Sequence, residues 1–294
     1  MEKLRIVLDW FPNTNHTGIL LAKKYGWLEE NGIDLTIEGE VHGEMEVHGA
    51  DFVCGPEIAM LECMNRGIGL TAVAAYTQKC DSGIVSLKES HITRPRELEG
   101  KRLTHWTPQW FHQSIGRLVA NDGGDYSKVN LVNLDVGDIV DTLGNIADAT
   151  WVYENWENFE LLQAGKEINY FNLGDIDPVF KFVAPAIAAT HEVLAERPEA
   201  VRAMLAAFDR GYQAVAKDPS LVLEVKDMIE PRLSDEWLVK SQEHLAPIFL
   251  NENGHWGTIS AERWEPMADF LVENGVIAHR FENEYTNEYL AEQQ

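Results

Sequence analysis

The chain has 294 residues, a length that fits two domains of ordinary size better than one. Hydrophobic residues make up 45% and charged residues 24%, a balance that builds sizeable cores and rules out disorder as the main state. The 48 Asp and Glu against 24 Lys and Arg leave a formal charge of −24, so nucleic acid and anionic lipid surfaces would be repelled.

In chain order, Leu4 to Leu8 is a short apolar strand, and Ile19 to Tyr25 has helical periodicity ended by Gly26. After Gly32, Ile33 to Ile37 alternates with period two, completing a βαβ unit whose crossover is right-handed. The pattern recurs as a strand over Ala50 to Cys54, a helix over Ile58 to Asn65, and strands over Leu70 to Ala75 and Gly83 to Leu87. A short helix at Arg96 to Lys101, strands at Arg102 to Trp106, Val129 to Leu134 and Ala147 to Val152, and a helix at Ser114 to Asn121 read as a second α/β lobe. From Pro198 a long amphipathic helix runs through Val215, and helical patterns continue to Leu290, with Trp264, Met267, Ala268 and Leu271 forming one apolar stripe. The predicted class is α/β, with short strand-like crossings between lobes near Val85-Ser86 and Ala184-Pro185. No run approaches the ~18–20 apolar residues of a membrane span. No basic and apolar leader precedes the first strand. The expected location is extracytoplasmic if an export signal was trimmed and cytoplasmic if the chain is complete. Three cysteines, Cys54, Cys63 and Cys80, are an odd number for a disulfide framework and read as small buried hydrophobes.

Ligands of open parallel sheets bind beyond the carboxyl ends of the strands, so the loop from Asp9 to Gly18 is favourably placed. Trp10 could face a ligand ring or belong to the core; Asn13 offers paired donors and acceptors; His16 could meet a ligand or cap the helix beside Thr17. Glu57, after the strand ending at Cys54, could accept from a ligand or complement a helix N-terminus. In the second lobe Trp106 lies in a loop with Trp110. Trp151, Tyr153 and Glu154 end another strand, where Trp151, Tyr153 and Trp156 cannot all face one way. His42 with His48, and His105 with His112, lack the i, i+4 spacing of a helical zinc site. No nucleophile-elbow, phosphate-loop or dinucleotide motif is present; no metal, cofactor or catalytic residue is expected.

The run Leu8-Asp9-Trp10-Phe11-Pro12-Asn13-Thr14-Asn15-His16-Thr17-Gly18 becomes specific together with Ala22 to Trp27, Gly32 to Leu35, Ser82 to Lys88 and the tail Tyr285-Thr286-Asn287-Glu288-Tyr289-Leu290. These segments resemble the thiamine-pyrimidine-precursor group of the NMT1/THI5-like family, which includes ThiY-type solute-binding proteins of ABC importers. The resemblance implies a type II periplasmic-binding-protein fold, two α/β lobes closing over a ligand, with lobe 1 made of residues 1–86 and 187–294 and lobe 2 of residues 87–186. It further implies an aminopyrimidine ligand of the formylaminopyrimidine or hydroxymethylpyrimidine type, an ABC permease as partner and a monomeric protein. The family also includes a pyrimidine phosphate synthase that consumes pyridoxal phosphate and its own histidine. Where that enzyme has its lysine and histidine, this chain has Gly55 and Ala59, and Val183 to Ala186 stand in place of its Cys-rich signature. A synthase or a cytoplasmic pyrimidine sensor on the same scaffold is the alternative expectation.

Overall fold

The computed structural model describes residues 1–39, 47, 49–105, 109–134 and 137–291. Its strands are β1 (Glu2–Leu8), β2 (Ile33–Gly39), β3 (Phe52–Gly55), β4 (Leu70–Ala75), β5 (Ser82–Leu87), β6 (Arg102–His105), β7 (Asn130–Asn133), β8 (Ala149–Tyr153), β9 (Ile168–Asn172) and β10 (Ala186–Thr190). The longer helices are α1 (Thr17–Lys24), α2 (Glu57–Asn65), α3 (Gln109–Asn121), α4 (Pro198–Lys217), α5 (Asp235–Phe249) and α6 (Ala261–Glu273). Two compact units result: residues 1–80, 182–272 and 277–294 form the first, and residues 81–181 with 273–276 the second. The divisions fall a few residues before the crossings expected from sequence. None of the described helices is long and apolar enough to cross a membrane.

The first unit is built on a five-stranded sheet in the order β2-β1-β3-β10-β4. β1 is parallel to β2 and β3, while β10 runs antiparallel to β3 and β4. β3 and β4 are buried along their whole length, as continuous apolar runs must be when both sheet faces are covered. Pro198 opens α4, whose buried face includes Val201, Met204, Leu205, Phe208 and Tyr212. α4 crosses α1 where Gly211 meets Gly18: a Cβ on Gly211 would lie 2.0 Å from the Gly18 carbonyl oxygen. Gly211 thus makes room for the Gly18 backbone, and Gly18 in turn for the Tyr212 ring, which a Cβ there would meet at 2.5 Å.

Helical structure stops at Glu273 within the chain's last fifty residues, so the helical patterns expected to reach Leu290 do not continue. Instead the tail extends along β4. The Ala72 N–H donates to the Glu284 carbonyl, and the Thr286 N–H donates to the Ala72 carbonyl. Asn287 holds it there, its amide pairing with both the N–H and the carbonyl of Ile259 at 2.9 and 2.8 Å. Arg280 joins Glu265, Asp269 and Glu284, and Trp264 Nε1 donates to Glu284 at 2.9 Å.

The second unit has the sheet order β7-β6-β8-β5-β9, with β5 antiparallel to both β8 and β9. Val85, Leu87, Ile139, Leu143, Val152 and Leu161 form one of its cores. Gly83 in β5 lies beneath the Tyr170 ring, where any Cβ would collide at 2.2 Å. Sequence periodicity misses β9 and β10. All three cysteines are buried, and no disulfide joins them.

Candidate functional site

In the first unit, the chain leaves β1 through Asp9 and Trp10 and folds into a turn set by Asn13. Its Oδ1 accepts from the Asn15 N–H at 2.9 Å, its Nδ2 donates to the Phe11 carbonyl at 3.3 Å, and its own N–H donates to His16 Nδ1 at 3.1 Å. This is a capping box with histidine in place of the usual Glu or Gln. Since Nδ1 accepts, the imidazole proton sits on Nε2, which donates to Asp9 Oδ1 at 2.9 Å. Thr14 Oγ1 bonds Ser241 Oγ at 2.7 Å, Thr17 Oγ1 donates to Gln242 Oε1 at 2.5 Å, and the Tyr212 hydroxyl donates to the Asn15 carbonyl at 2.8 Å. The loop is thus fixed to α4 and α5 before any ligand arrives.

These bonds correct part of the sequence reading. Asn13, His16 and Thr17 are buried and spend their polar groups inside the protein, Asn13 and His16 on the loop and Thr17 on Gln242 of α5, so they shape the strand end and do not line it. Trp10 is half-buried, its ring 3.9 Å from that of Phe11 and beneath the Arg232 guanidinium at 5.7 Å, so it is not a core tryptophan. Sequence reasoning passes over Asp9 in favour of its more elaborate neighbours, although a carboxylate directly after an apolar strand was the available signal. Behind the loop the His16 ring meets Tyr76 edge-on at 5.6 Å, and the Tyr76 hydroxyl donates to Cys54 Sγ at 2.8 Å. Burial, then the charge of Asp9, pushes the Cys54 thiol well up, which keeps it protonated and unreactive.

Glu57 is also not at the strand end. It is fully buried in the first turn of α2, where Oε2 accepts from the Val183 N–H at 3.0 Å and Oε1 has no partner among the described residues. Burial pushes this carboxyl well above its usual range, so it stays protonated and supplies no charge to a ligand. The helix-start reading fits its position; the ligand reading is corrected by its burial.

In the second unit the ends of β6 and β8 and the start of β5 come together at one edge. Trp151 is only 2% exposed, donates from Nε1 to Ser82 Oγ, and packs against Trp110 at 5.4 Å and Phe111 at 5.7 Å. Trp151 therefore belongs to the core. Tyr153 and Glu154 remain half-exposed, while the π-helical turn Glu154–Asn158 takes Trp156 and Glu157 inside. Asp81 anchors this turn: its carbonyl accepts from the Glu154 N–H at 3.0 Å and the Tyr170 hydroxyl at 2.6 Å, and its Oδ2 from the Asn155 N–H at 3.2 Å. Burial, reinforced by Glu160 and Asp81, pushes the Glu157 carboxyl up to about 8. The His105 and His112 rings lie 5.3 Å apart, tilted at 58°, and burial with His105 nearby pushes His112 down. Among the described residues no three His, Cys, Asp or Glu are arranged to hold a metal. Trp106, His42 and His48 lie outside the described residues.

The NMT1/THI5-like sequence profile matches residues 13–221, which include the Asn13 turn, β3, β8 and all of α4. The chain belongs to the NMT1/THI5-like family. Among curated relatives of this NMT1/THI5-like protein, the formylaminopyrimidine-binding protein of Halalkalibacterium halodurans is 23% identical over 92% of this chain and 85% of that one. A 4-amino-5-hydroxymethyl-2-methylpyrimidine phosphate synthase of Legionella pneumophila is 21% identical over 98% of this chain and 92% of that one. Among solved structures, the alkanesulfonate-binding protein SsuA from Xanthomonas axonopodis pv. citri, bound to MOPS, superposes with a TM-score of 0.72 at 14% identity, covering 94% of each chain. A Candida albicans protein described as having the generic periplasmic binding protein fold gives 0.67 at 13% identity, over 100% of this chain and 99% of that one. The NMT1/THI5-like protein therefore has the periplasmic-binding-protein fold, in two mixed α/β units.

Proposed function

We propose that the protein is a solute-binding protein for an aminopyrimidine precursor of thiamine, serving an ABC importer through its permease. The observation that carries this reading is the sorting of side chains at the end of β8: Trp151, Trp156 and Glu157 are buried, and Tyr153 and Glu154 are left half-exposed as an aromatic face beside a carboxylate. A heteroaromatic ring with an amino edge is the chemistry such a pair suits, one group stacking and the other accepting N–H bonds. In the first unit Trp10, half-buried beyond the end of β1, is a further aromatic face. The ligand named for the Halalkalibacterium relative agrees in kind. A shared fold does not transmit a ligand, so the sulfonate bound by the Xanthomonas protein is not carried over.

The synthase reading rests on the Legionella relative, which matches nearly the whole chain. Against it stand Gly55 and Ala59 at the positions where the synthase resemblance calls for lysine and histidine. Neither side chain can form an imine with an aldehyde or surrender ring atoms. Calorimetric titration with formylaminopyrimidine and aminomethylpyrimidine tests the binding reading, with taurine and nitrate as controls. Heat from the pyrimidines alone is expected; heat from taurine alone would overturn it. Incubation with pyridoxal phosphate, iron and oxygen is expected to give no pyrimidine phosphate, and one equivalent per chain would establish the synthase.

A further inference from the structure

The strand end of the first unit holds a carboxylate whose two oxygens are in different situations. Asp9 Oδ1 receives the Nε2 proton of His16, a side chain with 0% exposure. Asp9 Oδ2 takes no hydrogen bond from any described residue, and the Asp9 side chain is 19% exposed. The pairing is neutral on the histidine side, because Nδ1 is occupied as an acceptor by the Asn13 N–H. One hydrogen bond therefore orients the carboxylate without cancelling its charge. Asp9 forms no ion pair with Lys or Arg among the described residues. Beneath it, Cys54, Tyr76 and Tyr212 are fully buried and stay neutral, so they add no charge of their own beside the carboxylate.

We infer that Asp9 is a specificity-determining residue and His16 its positioning residue, together selecting pyrimidines that carry an N–H-bearing or cationic substituent and rejecting those that carry a phosphate ester. This rests on the aminopyrimidine reading above. Oδ2 accepts from an amine, ammonium or amide N–H, whereas a phosphate brought to the same oxygen meets like charge in a partly desolvated setting. The role of His16 is to hold Asp9 in one rotamer so that Oδ2 keeps its direction, a task for which a fixed Nε2–H tautomer is required.

The test compares two ligands with the same ring, aminomethylpyrimidine and hydroxymethylpyrimidine phosphate, so that contacts to the ring cancel in the ratio of their dissociation constants. The wild-type full chain is expected to prefer the amine strongly. In Asp9→Asn the amine should bind roughly 10- to 100-fold more weakly, the range for losing a hydrogen bond to a charged group, and the phosphate more tightly. His16→Gln should move the ratio in the same direction by less, and should add nothing in the Asp9→Asn background. If His16→Gln weakens both ligands equally, its role is merely structural and that half of the inference falls. Should that variant not fold, nitrogen NMR of the wild-type imidazole decides: a proton on Nδ1 would overturn the positioning role. An unchanged ratio in Asp9→Asn overturns this inference and leaves the functional reading standing, whereas a wild-type protein that binds neither pyrimidine overturns both.

Discussion

Glu157→Gln should make the protein more stable at neutral pH, and the gain should grow with pH. Glu157 is fully buried and its carboxyl is pushed up to about 8, against about 4.3 for glutamate in an unfolded chain. Between those values the folded protein keeps a proton that the unfolded chain has released. Stability is then highest below the unfolded value, falls by about 1.4 kcal/mol per pH unit as pH rises, and levels off above the folded value. At neutral pH the accumulated loss is on the order of 3–4 kcal/mol, a large share of a typical stability of about 5–15 kcal/mol. Glutamine has the shape of the protonated acid and cannot ionise, so it abolishes this dependence. Urea unfolding of both proteins at constant ionic strength from pH 5 to 8, about the window set by the two values, isolates the effect because every other carboxylate is common to both. The stability difference should widen steadily across this range, its slope easing only as pH nears 8. A difference that stays constant with pH would refute the reasoning, since Glu157 would then be ionised in the folded state at neutral pH.

Trp10→Ala should lower pyrimidine affinity by on the order of 1–3 kcal/mol, one stacking contact, with little change in melting temperature. Trp151→Ala should instead cost about 3–5 kcal/mol of stability, and calorimetry with thermal melts on both variants checks the contrast. Glu154→Gln should weaken binding by about 1.5–3 kcal/mol, as for losing a charge-assisted hydrogen bond, and Glu57→Gln should leave it unchanged; equal effects on titration would refute the assignment. Gly211→Ala forces a Cβ into the Gly18 carbonyl and should destabilise by about 1–3 kcal/mol or prevent folding, measurable by urea midpoint.

The βαβ opening, the long helix from Pro198 and the placement of candidate sites at strand ends are all legible in the sequence, because apolar periodicity reports directly which face of an element is covered. β10 escapes that logic: Ala186-Ile187-Ala188-Ala189 is buried on both sides between β3 and β4, so no alternation marks it, and its small side chains resemble a crossing. The polar loop shows a different limit. Asn13, His16 and Thr17 carry the donors and acceptors a ligand would want, yet the backbone and the side chains of Asp9 and Gln242 take them first, and only the three-dimensional turn shows this. Glu57 and Glu154 look alike as acids beside strand ends, but one points at a buried amide and the other begins a turn that leaves it half-exposed. Trp151 and Tyr153 share a strand face by period, and their burial differs because Tyr153 is the last residue before the chain turns.

The tail laid along β4 sets a condition on how the protein can be made. β4 is an outer strand of the first sheet, and its Ala72 N–H and carbonyl find their partners in Glu284 and Thr286. On a ribosome those partners emerge some two hundred residues after β4 itself, on the order of 10–40 s at ~5–20 residues per second. During that interval an apolar segment, Leu70 to Ala75, has an uncapped side open to pairing with another nascent chain. A chain cut before Glu284 would carry that open side permanently, and should appear in inclusion bodies even though every strand and every long helix is intact.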